Sequence, residues 1–74
     1  MTNEQAFRLL RLARLAQVGA ALVAADAQDF LTLAQQAMRS HPDSLEAMRL
    51  LRLARSTARD LVGQAHAMAG VRQA

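Results

Sequence analysis

The chain has 74 residues, no Cys, and a net charge of +3 in which every basic side chain other than His is Arg. One domain of this size buries only about 60% of its unfolded surface, and without Cys no disulfide can staple it, so stabilising help from a partner is expected. Ala and Leu dominate, while Ile, Trp, Tyr and Lys do not occur; strands have almost no β-branched or aromatic material, and Ala, Leu, Arg, Gln and Met favour helix. The expected fold is all-α: one domain over 1–74, a small three-helix or long helical-hairpin unit working as a dimeric helical bundle.

The first helix is predicted over about 3–24. Thr2 followed by Gln5 fits a capping box. The run Leu15–Ala25 follows Arg8, Arg11 and Arg14 in the manner of a signal-peptide core. Glu4 lies in the would-be basic region, however, and Gln17 and Gly19 interrupt the apolar run, so it is read as ordinary helix. At helical spacing Ala6, Leu9, Leu10, Ala13, Ala16, Ala20 and Val23 make a wide face suited to the core. A second apolar line runs Phe7, Leu15, Val18 and Leu22, with Arg11 interleaved. A chain this small cannot bury both, and apolar surface left outside marks an interface. Phe7, Arg11, Leu15, Val18 and Leu22 are therefore the candidate dimer or partner contact.

The second helix is predicted over about 27–40, with Asp26 as its N-cap and Asp29 near the positive end of the dipole. No strong breaker separates it from the first, so the two could also form one bent rod. Phe30, Leu31, Leu33, Ala34, Ala37 and Met38 face the core. Gln28, Asp29, Thr32, Gln35, Gln36 and Arg39 face outward. Residues 41–44, His-Pro-Asp-Ser, are the clear turn: Pro42 stops one helix, and Asp43 or Ser44 caps the next.

The third helix is predicted over about 45–69, with Gly70 as its stop and the last residues frayed. Ala47, Leu50, Leu51, Ala54, Ala58, Leu61, Val62, Ala65 and Met68 fall on its core side. Arg52, Arg55, Arg59 and His66 fall within about 60° of one another at 100° per residue, a basic stripe about three turns long. Such a stripe suits an acidic protein surface or a phosphate backbone.

An internal repeat links the first and third helices: AFRLLRLAR at 6–14 and AMRLLRLAR at 47–55 agree at eight of nine positions. The two copies are expected to pack pseudo-symmetrically. Around the turn, Ala37, Pro42, Ala47 and Leu51 resemble the junction between two tetratricopeptide repeats, which would imply a protein-binding role. The upstream signature of that family is missing and the internal interval is longer than its 34 residues, so the chain is not assigned to it.

No catalytic, cofactor-binding or metal-binding constellation emerges. There is no Cys nucleophile, His41 and His66 are far apart in the chain, five of the six carboxylates sit where helix capping explains them, and the glycines are isolated. With no run of 18 uncharged apolar residues, a membrane span is not expected, and membrane-surface binding is disfavoured by the lack of Trp and of a compact polar face. Only Phe7 and Phe30 are aromatic, too few for a base-stacking platform. The sequence thus points to a small, cytoplasmic, non-enzymatic protein-binding module with no cofactor: an adaptor, a chaperone-like subunit or an inhibitor of a larger regulatory protein. Its expected partners are a second copy of itself and another protein with an acidic surface. A small bacterial or phage accessory protein would suit the size and the Arg usage. The alternative is a dimeric Arg-rich nucleic-acid-binding regulator.

Overall fold

The structure, a computed structural model, describes residues 1–19 and 22–73, with side chains through residue 63. Three helices follow in order: α1 Asn3–Gln17, α2 Ala24–Ser40 and α3 Leu45–Gln73. No strand occurs among the described residues, so the all-α reading holds.

α1 starts as its sequence dictates. The Thr2 side chain accepts the Gln5 N–H at 3.2 Å, and the Gln5 side chain accepts the Thr2 N–H at 2.9 Å; this reciprocal pair satisfies two backbone donors that a bare helix start would leave free. α1 ends well before the expected residue 24. Gly19 adopts φ 77°, a left-handed conformation open to Gly at little cost. Its N–H donates to the Ala16 carbonyl at 3.2 Å, the inner hydrogen bond of a Schellman-type stop. The break between the first two helices is real: α1 ends at Gln17 and α2 starts at Ala24, so it comes earlier than expected.

α2 therefore begins at Ala24. Its N-cap is Val23, which gives no side-chain hydrogen bond. Asp26 is not the cap but sits in the first turn, where a carboxylate still complements the helix dipole. The turn after α2 is closed by the Ser44 N–H donating to the His41 carbonyl at 3.1 Å. Ser44 then caps α3, its hydroxyl accepting the Ala47 N–H at 3.2 Å. α3 passes through Gly70, the expected stop, and continues to Gln73. Of the two glycines, the one read as helix interior ends a helix, and the one read as a stop does not.

The core is wholly apolar among the described residues. Fully buried Phe30 from α2 is its centre, surrounded by Leu9, Leu12 and Ala13 of α1, Leu33 and Ala34 of α2, and Leu50 and Ala54 of α3. Ala34 and Ala54 are completely buried; small residues there let helices approach closely, and α2 with α3 forms the most extensive helix pair. At about 1.5 Å per residue, α3 accounts for nearly all of the molecule's 46 Å length.

The orientation of α1 differs from the sequence reading. Leu10, expected in the core, is 53% exposed, while Leu12 is 2% exposed. The cause is packing between elements: Leu9, Leu12 and Ala13 share one side of α1 and join the cluster around Phe30 of α2, leaving Leu10 at the edge. The Arg8 guanidinium donates to Asp29 at 2.8 Å and to Asp26 at 3.2 Å, tying α1 to the start of α2. Arg8 and Leu12 lie one turn apart on the same side, so this exposed pair is compatible with an α1 that turns Leu12 inward and Leu10 outward. Val23 and Val62, also expected in the core, are exposed. Val23 precedes the first turn of α2, and Val62 lies at the outward edge of α3's apolar stripe.

Candidate functional site

The two copies of the internal repeat share part of their burial pattern, although Leu12 is buried where Leu53 is half-buried, and Ala47 is buried where Ala6 is half-buried. Leu9 and Leu50 are buried, as are Ala13 and Ala54; Phe7 and Met48, Arg11 and Arg52, and Arg14 and Arg55 all face out. The repeat thus builds two outward seams with the same 4-3 spacing, one on α1 (Phe7, Arg11, Arg14, Val18) and one on α3 (Met48, Arg52, Arg55, Arg59). That spacing is the one by which a helix meets a second helix at a shallow angle.

The two seams differ in their neighbours. On α1, Phe7 is 74% and Val18 73% exposed, Arg11 is exposed, and Leu15 is partly so. A shallow hollow there is lined by Glu4, Phe7, Arg8 and Arg11, so this face carries an acid beside its arginines. Leu22, expected on the same line, is 7% exposed and belongs to the core. It lies beyond the Gly19 stop, where helical spacing no longer decides which way a side chain points.

On α3 the seam forms one bank of a trough whose other bank is α2. The trough encloses about 570 Å³; Met38, Met48 and Leu51 form its apolar floor, and Arg52, Arg55 and Arg59 its wall. An adjoining hollow of about 550 Å³ shares Met38 and Leu51 and adds Gln35, Arg39 and Pro42. Three arginines thus line the trough and a fourth, Arg39, the hollow beside it. Among the described residues the only ion pairs are those of Arg8, so none of these four has a carboxylate within 4 Å. His66, the last member of the expected stripe, lies outside the described side chains.

Sequence reasoning found Arg52, Arg55 and Arg59 but placed Met38 and Leu51 inside the core. Both are only half-buried. They are what turns a charged stripe into a two-sided site. The legible signal was the repeat: Leu51 is the counterpart of Leu10, and both stand at the edge of the buried face.

The Arg8 cluster is of another kind. The hydrogen bond that Arg8 donates to Asp29, foremost, holds its guanidinium above its ordinary value; desolvation opposes this, and the attraction of Asp29 and Asp26 adds to the rise. Because that value is raised, whatever the pairing contributes is present throughout the neutral range and fades only at pH above the ordinary arginine value. All three side chains are solvated, which marks a modest surface clamp.

Among the described residues no three His, Cys, Asp or Glu side chains meet in a way that could hold a metal ion, and no helix is long and apolar enough to cross a membrane. Comparison with models of protein families, with curated proteins and with solved structures finds no significant match to this chain.

Proposed function

We propose that this chain is a small non-enzymatic protein-binding module, acting in the cytoplasm as an adaptor, a chaperone-like subunit or an inhibitor of a larger protein. One observation carries the reading: exposed Arg52, Arg55 and Arg59, without a carboxylate partner among the described residues, wall a trough floored by Met38, Met48 and Leu51. Arg with exposed apolar surface is the chemistry enriched where proteins meet, and Met adapts its shape to a partner's side chains. A purely solvated face would not need that apolar floor. The outward face of α1, with Phe7, Val18 and Leu10 exposed, supports a second contact, through which two copies pair as a homodimer; Glu4 on this face offers the arginines of a second copy an acid.

A displayed random-peptide library, selected on the immobilised chain and counter-selected on the R52Q/R55Q/R59Q variant, tests the reading. Enriched peptides that bind the native chain and lose the variant are the expected result. No enrichment, together with micromolar or tighter binding of duplex DNA or single-stranded RNA near physiological salt that the variant abolishes, would replace this reading with the nucleic-acid one. A nucleic-acid complex would also show a log–log salt slope of roughly −2 to −3 for three phosphate contacts.

A further inference from the structure

We infer that the occupant of the α2–α3 trough is an acidic amphipathic helix of another protein, about three turns long; this rests on the protein-binding reading above. Three features of the trough fix the occupant's chemistry. Its length comes first: the seam from Met48 to Arg59 covers three turns, about 16 Å at 1.5 Å per residue, on the wall of a single trough. An extended peptide of the same span would present alternating faces to a site that is apolar only along its floor. A helix presents one stripe, with side chains at i, i+3, i+4 and i+7 meeting Met38, Leu51 and Met48.

Charge is the second feature. Arg52, Arg55 and Arg59 stand on the α3 bank and Arg39 at the α2 side. A helix lying along the α3 bank meets three guanidinium groups on one flank of its apolar stripe, with Arg39 in the adjoining hollow that shares Met38 and Leu51. Carboxylates along that flank accept paired hydrogen bonds from Arg while the apolar stripe fills the floor, which a phosphate diester or a lone anion does not do.

The third feature disfavours a second copy as occupant. The only repeat-equivalent helix face this chain could offer the trough is the outward face of α1, whose seam is Phe7, Arg11, Arg14 and Val18. Docking it there would set Arg11 and Arg14 against Arg52, Arg55 and Arg59 with Glu4 as that face's one acid, a net like-charge contact that specific interfaces disfavour.

The test uses the full chain and synthetic peptides of about fourteen residues, long enough for the three turns of the seam. One carries Leu at 3-4 spacing flanked by Glu. A second is its scrambled isomer, with the same charge but no stripe. A third replaces every Glu with Lys. Binding is followed by fluorescence anisotropy and induced helicity by circular dichroism, with duplex DNA as a separate probe. The patterned acidic peptide is expected to bind and gain helicity. Its scrambled isomer should bind about tenfold or more weakly. R52Q/R55Q/R59Q, whose exposed positions leave folding intact, should lose about tenfold in affinity for the patterned peptide, and R49Q, on another face of α3, should lose nothing. R52E/R55E/R59E should reverse the preference toward the Lys peptide.

Equal binding of the scrambled isomer would overturn the helix inference while leaving a protein-binding surface in place. So would failure of all three peptides when library-selected peptides of other character do bind. Binding of duplex DNA alone, lost in the triple variant, would overturn both the inference and the reading beneath it.

Discussion

Truncating Leu12 to Ala should cost the fold about 3 kcal/mol, and truncating Leu10 about 1 kcal/mol or less. Leu12 is 2% exposed and joins the cluster around Phe30, whereas Leu10 is 53% exposed. A fully buried Leu gains about 1.5–3 kcal/mol over an exposed one, and the cavity left by its loss raises the measured cost into the range of about 2.7–5 kcal/mol. Leu10 has half of that surface in water already and leaves no enclosed cavity. In a domain of this size each kcal/mol moves the midpoint by about 4–8 °C, so Leu12→Ala should melt at least about 12 °C lower than the native chain. Thermal unfolding followed by far-UV circular dichroism measures both. Runs at several protein concentrations separate a folding cost from one due to self-association at the α1 face. A Leu10→Ala loss as large as that of Leu12→Ala, independent of concentration, would refute the orientation of α1 and restore the face that spacing alone gives.

Gly19→Ala and Gly63→Ala should have opposite signs, although a Cβ at either site meets nothing within 4 Å. The first forces a Cβ onto φ 77° and should cost about 1–2 kcal/mol; the second removes backbone freedom from a helix interior and should gain about 0.5–1 kcal/mol, both read from urea unfolding. Thr2→Ala removes one half of the capping box and should cost about 1 kcal/mol; no change would mean that the hydrogen bonds at Thr2 and Gln5 do not persist in solution. Sedimentation at micromolar concentration should show a dimer that F7E/V18E dissociates without loss of helix content, and an 8.0 kDa native monomer throughout would remove the self-association proposed for α1.

Much of the architecture was legible because it rests on local chemistry. The Thr2–Gln5 box, Pro42 and Ser44 at the turn, and the apolar stripe around Phe30 all act over one or two turns, and each appears where its spacing puts it. What spacing could not carry was chemistry acting between elements. Leu9, Leu12 and Ala13 of α1 join Phe30 of α2 in one cluster, and that packing between helices sets which side of α1 turns inward. Gly19 could be a tolerated interior glycine or a left-handed stop, and only the return of α2 onto α1 decides between them. The candidate site shows the same division. Arg52, Arg55 and Arg59 were visible as one stripe on one helix. The trough was not, because Met38 and Leu51 sit on different helices at the edge of the core, where a wheel cannot tell a half-buried floor from a buried interior.

The most direct test of the trough as the protein-binding site is a methyl spectrum of the chain carrying 13C-labelled methionine, recorded while the patterned acidic peptide is added. Met38 and Met48 line the trough, and Met1 lies exposed outside its lining. The account predicts that the Met38 and Met48 resonances shift together and saturably while Met1 stays in place, and that the shifts disappear in R52Q/R55Q/R59Q. Saturable binding that leaves Met38 and Met48 unmoved would contradict it, because the partner would then be held somewhere other than the arginine-walled trough.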